Sequence, residues 1–300
     1  MTKLIQITGP VVDLVYRVRE IPASGEEGIV TGFLAAPGGG ANSLVAARAA
    51  GMEAALGGTI GTGPFAEMTR KLLAEQAIPH IGGTHPDLDQ GLCTVLLEPD
   101  GERTFVSNHG AEGHVTEADL ARIEVSPGDW VMLSGYTLFY PAAARAVSGW
   151  ISALPPEIKV LFDPSPIVAE ISSELLAPVF ARADWISANF EEGVTLVGFD
   201  KPGRVAMGLA RNRQGAVLRR GADGAWLATE GRLDKLPAPE VKAIDSNGAG
   251  DCHIGSFIAE LTRSGDPLRA TRYANIAAAL STTRDGPATP PPRDEVMKLL

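Results

Sequence analysis

A carboxylate that closes a turn of small residues and stands at the start of a helix can take a proton beside a bound anion. Residues 245–251, Asp245-Ser246-Asn247-Gly248-Ala249-Gly250-Asp251, have that form. Beyond the turn, Ile254, Phe257, Ile258 and Leu261 stand at offsets of three, four and seven, the spacing of one helical face. A helix start leaves backbone N–H groups unpaired and carries partial positive charge, so it attracts phosphate. Gly248, Ala249 and Gly250 keep side chains out of the way of such a group, and Asp251 faces whatever loses a proton. The competing reading is structural: an aspartate in a first helical turn is a common cap, and glycine-rich turns are common connectors.

The elements that must position this turn are legible as alternating strands and helices. Strands are expected over Trp130 to Ser134, Lys159 to Phe162, Asp184 to Ala188 and Ala216 to Arg219, with helical spacing over Pro141 to Leu154, Ser172 to Ala183 and Gly203 to Arg213. This β-α-β order predicts a parallel sheet covered by helices on both faces. Ligands of such sheets bind beyond the carboxyl ends of the strands, where Asp163, Asn189 and Gly221-Ala222-Asp223-Gly224 fall. The N-terminal third differs. Leu92 to Leu97 and Arg103 to Ser107 flank Pro99-Asp100-Gly101, a hairpin turn, and Val11 to Val18 with Gly28 to Leu34 can pair beside it. We expect one domain over residues 1–300 with a small antiparallel lid formed by about 11–35 and 91–110. Thr116 with Asp119 predicts a capping box, and Gly51 a helix stop.

Composition narrows the function classes. The 300 residues are 45% hydrophobic and carry a formal charge of -10 without a basic run, which argues against nucleic acid or an anionic membrane as partner. No segment reaches the roughly 18 consecutive apolar residues of a membrane span, and the chain opens without a signal-like segment, so a cytoplasmic protein is expected. Cys93 and Cys252 are the two cysteines, without framework spacing.

Together these residues resemble the PfkB carbohydrate kinase family, the ribokinase-like kinases, over essentially the whole chain. The turn at 245–251 is similar to the family's D-T-x-G-A-G-D, with Ser246 in the Thr position. Asn189-Phe190-Glu191-Glu192 is similar to its N-x-x-E, Arg220-Gly221-Ala222-Asp223-Gly224 to its strand-end glycine segment, and Pro37-Gly38-Gly39-Gly40-Ala41-Asn42 to its sugar-side G-G-x-x-x-N. The resemblance implies a three-layer α/β/α sandwich with a mainly parallel central sheet, and transfer of the γ-phosphoryl of ATP to a hydroxymethyl group of a sugar or nucleoside. It implies Asp251 as base, and Gly248, Ala249 and Gly250 as backbone donors to the transferring phosphate. Asp13, Gly38, Gly39 and Asn42 then contact the acceptor. Asn189, Glu192, Arg219, Gly221, Ala222, Gly224 and Asn275 fall on the nucleotide side. Mg2+ is implied, with Glu192 holding it through water. Asp245, Asn247, Ser281, Arg284 and Gly286 resemble a monovalent-cation loop, making K+ a further candidate. A homodimer through the lid is expected from its open strand edges. Departures lie on the acceptor side: Pro37 replaces the first glycine, Gly61-Thr62-Gly63-Pro64-Phe65 lacks the following Asp, and Ser165 stands where Asn is common.

Asp251, at a helix N-terminus, is expected to be ionised at pH 7. Arg219 and Arg220 alternate in direction along a strand, so one of them can face the nucleotide. Two rivals remain. Gly61-Thr62-Gly63-Pro64-Phe65-Ala66 imitates a dinucleotide fingerprint, which would make the chain an NAD-dependent Rossmann-type enzyme. The other is a non-catalytic sugar sensor on the same fold.

Overall fold

The computed structural model describes residues 2–100 and 102–300, so Gly101 of the expected hairpin turn lies outside the described residues. Strands β1 (Lys3–Gln6), β2 (Pro10–Val18), β3 (Val30–Gly39), β4 (Glu53–Leu56), β5 (Leu92–Leu97), β6 (Arg103–Asn108), β7 (Trp130–Ser134), β8 (Lys159–Asp163), β9 (Trp185–Ala188), β10 (Gly215–Arg219), β11 (Ala225–Thr229) and β12 (Arg232–Leu236) divide between two sheets. The main sheet runs β12-β11-β10-β9-β8-β7-β1-β4. It is parallel from β4 to β10, and β11 and β12 close one edge as antiparallel strands.

Helices α1 (Gly40–Ala49), α2 (Pro64–Glu75), α3 (Glu117–Leu120), α4 (Gly135–Phe139), α5 (Pro141–Ala153), α6 (Ser173–Arg182), α7 (Phe190–Val197), α8 (Pro202–Leu209), α9 (Ala249–Ser264), α10 (Pro267–Ser281) and α11 (Arg293–Met297) cover its two faces. Side chains alternate along a strand, and β7 makes the consequence plain. Trp130 and Met132 pack with Leu44, Phe257 and Tyr273 on one face, while Val131 and Leu133 pack with Val147, Val179 and Leu209 on the other. This is the expected three-layer sandwich. The helix expected over Gly203 to Arg213 is shorter, ending at Leu209, because Ala210 to Arg213 turn back toward β10. The Thr116–Asp119 capping box is present, and no helix among the described residues is long and apolar enough to cross a membrane.

The second sheet, ordered β3-β2-β5-β6, stands apart from the first. Its two hairpins are antiparallel, and β2 and β5 join them in parallel. A single buried carboxylate ties both ends of its second hairpin to the body. Glu112, 1% exposed, accepts from the Gly91 N–H at 2.8 Å and the Gly110 N–H at 2.9 Å.

Candidate active site

The strands β8 and β10 end at Asp163 and Arg219, Asn189 follows β9, and α9 starts opposite them. Between them opens a cleft of about 860 Å3, lined among others by Asp163, Asn189, Glu192, Arg219, Gly221, Ala222, Gly224, Gly248, Gly250, Asp251 and Asn275. That volume suits a nucleotide-sized ligand. Every residue assigned from sequence to the nucleotide side therefore reaches one cavity.

The turn at 245–251 is shaped for an anion. Gly248 takes a left-handed conformation, φ 73°, which residues with a Cβ adopt at a cost. The Ala249 N–H turns back to the Ser246 carbonyl at 3.3 Å. That corrects the expectation of three open donors: among the described residues, Gly248 and Gly250 remain without a backbone partner, as does Asp251 itself. Arg219 lies against this helix start, since a Cβ placed on Gly250 would stand 2.5 Å from Arg219 Nη1. Arg219 also pairs with Asp163 at 3.3 Å and Glu192 at 3.5 Å. Arg220 instead stacks on Phe190 and faces Asp223, which identifies Arg219 as the arginine of the cleft.

Burial sets the charge states. Asp251 is pushed up to about 7, first by burial and then by the charge of Asp163, against the pull of the Asn42 hydrogen bond and Arg219. The helix dipole does not outweigh these effects, so the expected full ionisation at pH 7 gives way to a carboxyl poised at neutrality. Burial also raises Asp163, opposed by Arg219, and lifts Glu192 to about 7 with help from Asp163. His253, lowered to about 3 by burial and by Arg219, is neutral; it bonds Asn275 at 3.0 Å. The Asn275 amide also donates to the Leu236 and Pro237 carbonyls, so it anchors the cleft wall through that segment.

Three raised carboxyls around one guanidinium, Asp163 and Glu192 buried and Asp251 partly so, leave the cleft short of positive charge, and a divalent cation would relieve it. The residues fit Mg2+ held through water and phosphate, because no group of three or more His, Cys, Asp or Glu among the described residues forms a protein cage, and magnesium keeps much of its water. Glu192 is already engaged in a capping box with Asn189, bonds of 2.8 Å running both ways. Water-mediated contact is therefore the role its geometry leaves open.

Of the residues expected to contact the acceptor, Gly39 and Asp251 line the cleft, and Asp13, Gly38 and Asn42 stand beside it. Asn42 Nδ2 donates to Asp251 Oδ2 at 3.1 Å, and Asn247 Nδ2 to Asp13 Oδ2 at 2.9 Å. Gly38 lies so near Asp13 that a Cβ there would meet Oδ2 at 2.5 Å. Gly39 and Gly40 line the cleft. Burial raises Asp13 to about 6 against the Asn247 bond. Buried polar atoms are rarely left unpaired, yet Asn42 Oδ1, Arg219 Nε and His253 Nδ1 have no partner here. Arg219 and His253 line the cleft and Asn42 bonds Asp251, so these three could meet a ligand, whereas Trp130 Nε1, Ser187 Oγ and Arg213 Nε are unpaired outside the cleft lining.

The residues of the expected cation loop meet around Asp245, which already carries a protein cation. Asp245, 4% exposed, gives Oδ1 to the Asn247 N–H at 2.9 Å and to Arg103 at 2.7 Å, and Oδ2 to the Gly286 N–H at 3.3 Å. The Ser281 carbonyl accepts from the Arg284 N–H, and the Gly286 carbonyl from Thr289. The Arg284 side chain points to Glu295 and the Pro290 carbonyl. The Asp245 carboxylate is thus already charge-paired by Arg103, while the Ser281 and Gly286 carbonyls, each holding a single bond, keep a second lone pair.

The imitation dinucleotide turn is spent on internal bonds. Asp89 accepts from the Phe65 and Ala66 N–H groups at 3.2 and 2.8 Å, and a Cβ on Gly63 would meet its carboxylate at 2.6 Å. A side chain caps the start of α2, where a pyrophosphate would have to sit.

Several cleft residues carry no local signal in sequence. Gln6 and Thr8 follow from the position of β1, and Ser134 and Ser165 meet at 2.5 Å. Ser165 adopts φ 62°, which explains why the Asp163-Pro164-Ser165 segment bends into the site. His253 is recognisable only through its neighbour Asn275.

The family model described as pfkB family carbohydrate kinase matches residues 2–294. The chain is 30% identical to an uncharacterized sugar kinase, YegV, of Escherichia coli strain K12, over 85% of this chain and 80% of that protein. It is 29% identical to an ATP-dependent ribose-1-phosphate kinase of Halopiger xanaduensis, covering 96% of this chain and 94% of that one. In fold it is similar to a putative ribokinase II from E. coli solved in complex with ATP and Mg2+, with a TM-score of 0.84 at 23% identity, over 99% of this chain and 98% of that one.

Proposed function

The chain belongs to the pfkB family of carbohydrate kinases, and from that premise we propose that it transfers the γ-phosphoryl group of ATP to a hydroxymethyl group of a neutral sugar or ribosyl compound. The observation that carries this reading is the placement of Asp251. Its carboxyl, poised near neutrality, stands between open N–H groups with Arg219 on one side and the Asn42, Asp13 and Asn247 cluster on the other.

Phosphoryl transfer asks mainly for positioning and charge stabilisation. The acceptor, held by Asp13, Asn42 and Asn247, presents its hydroxyl to Asp251. That carboxylate takes the hydroxyl proton as the oxygen bonds to the γ-phosphorus, and the bond to the β–γ bridging oxygen breaks, leaving ADP with the electron pair. The Gly248 and Gly250 N–H groups and Arg219 face the charge on the transferring group, and each such donor is worth ~3 kcal/mol in comparable sites. Mg2+, held through water near Glu192 and Asp163, would neutralise phosphate charge.

The acceptor side favours an uncharged ligand. Arg219 is the one Lys or Arg among the described residues lining the cleft, and it belongs to the nucleotide side. Asp13 and Asp251 would repel a phosphate or carboxylate on the acceptor. The small sheet over this site serves as a lid that excludes water, which protects ATP from hydrolysis.

An ATP-to-ADP coupled assay with Mg2+, over hexoses, pentoses, nucleosides, sugar acids and ribose 1-phosphate, tests the reading. Acceptor-dependent ADP release is expected for neutral acceptors. In Asp251→Asn, turnover falls at least about a hundredfold with ATP binding retained. A preference for anionic acceptors would reject the acceptor class, and full activity in the variant would reject the mechanism. ATP and sugar binding without turnover would favour a sensor.

A further inference from the structure

Among the described residues, the small sheet reaches the 245–251 turn with one basic side chain. Arg103 opens β6, and its guanidinium donates to Asp245 Oδ1 at 2.7 Å and to Ser246 Oγ at 2.8 Å, linking positions 142 and 143 residues apart. A buried carboxylate needs a compensating charge and saturated hydrogen bonds. For Asp245, Arg103 is the one cation within ion-pair reach among the described residues.

The same carboxylate organises the rest of the turn. Asp245 Oδ1 also accepts the Asn247 N–H, and Asn247 in turn holds Asp13. The run Arg103, Asp245, Asn247, Asp13 therefore leaves the small sheet at β6, crosses the turn and returns to the sheet at β2. A second tie, Arg17 on β2 to Asp285 at 2.6 Å, spans the same gap, but both partners are well exposed, and such pairs contribute little. Arg103 and Asp245, at 18% and 4% exposed, form the desolvated contact.

We propose that Arg103 is a positioning residue for phosphoryl transfer. It is a cation tethered to the small sheet that orders the 245–250 turn through Asp245 and Ser246, where the sequence suggested a free monovalent ion. The inference rests on the kinase reading. It makes order in the anion-binding turn depend on closure of the small sheet, and it makes the enzyme indifferent to potassium.

The test compares the full-length wild type with Arg103→Met and Arg103→Lys, in potassium chloride and in tetramethylammonium chloride at equal ionic strength. Wild-type kcat should differ less than about twofold between the two salts. Arg103→Met should lose about tenfold or more in kcat, with a smaller change in KM for ATP. Arg103→Lys should regain most of the loss, and added ethylguanidinium should raise the Arg103→Met rate at least about threefold, a response a merely structural loss would not give. A wild type that needs potassium, or an Arg103→Met enzyme within about twofold of wild-type kcat, overturns the proposal.

Thermal melting supplies a readout independent of turnover. Potassium-specific stabilisation is expected in Arg103→Met and absent in the wild type, by ligand linkage. Its presence in the wild type overturns the proposal even if no acceptor is phosphorylated, and its absence there decides in favour if Arg103→Met does not fold and Arg103→Lys stays active and potassium-indifferent. Failure of the kinase reading would appear separately, as wild type without turnover in either salt.

Discussion

Asp251, the proposed base, would also be a liability to the fold, because the two follow from one shift. Its carboxyl moves from 3.8 to about 7 through burial and the Asp163 charge, and a base near the working pH is the most effective kind. The proton must be absent for Asp251 to accept another, so kcat/KM should fall as pH drops below about 7 and level off above it. A profile flat across the acid-to-neutral range would remove Asp251 as the base. Linkage gives the complementary sign. A carboxyl raised on folding binds its proton more tightly in the native state, so stability is lost as pH rises from 3.8 to about 7. Asp251→Asn should therefore melt above the wild type at alkaline pH, with the difference shrinking as the pH is lowered toward the ordinary carboxylate range. The residue types of the site were legible, since Asp251, Asn189 and Gly248 sit in compact patterns. Their charge states were not, because desolvation and the Asp163 neighbour depend on segments that lie far apart in sequence.

Elements divide by how local their cause is. Strands β7 to β10 are short apolar runs bounded by turn residues and were legible as such. The antiparallel edge of β11 and β12 carries no comparable signal, since Arg232, Leu233, Asp234 and Lys235 are polar or half-exposed. The hairpin of β5 and β6 was legible from its turn residues and β2 and β3 only as extended segments, whereas the parallel join of β2 and β5 depends on how the sheet is anchored. Glu112 is that anchor. Replacing it by Ala leaves the buried Gly91 and Gly110 N–H groups unpaired, at about 1–3 kcal/mol each, so Glu112→Ala should lower stability by about 3 kcal/mol in urea unfolding. Glu112→Gln, which keeps one acceptor oxygen, should lose less. An unchanged midpoint in the Ala variant would deny the anchoring role.

For the whole molecule, the small sheet leaves an apolar surface outside the core. Val30 and Phe33 on β3 and Phe105 and Val106 on β6 are 48 to 62% exposed, on the two edge strands, where unpaired backbone groups invite a partner. We expect a homodimer through this sheet, sedimenting at twice the chain mass, and Phe33→Glu with Phe105→Glu should shift it to monomer. A wild-type monomer at micromolar concentration would end the idea. By itself the sequence determined the sandwich, the cleft edge and the small-residue turn at 245–251, because hydrophobic period and small-residue spacing act over a few residues and need no partner. Only the tertiary structure decided which arginine faces the cleft, that Asp89 closes the rival fingerprint, and that Arg103 pairs with Asp245. Each of these turns on side chains brought together from distant segments, where burial and a neighbour's charge, not local spacing, set the outcome.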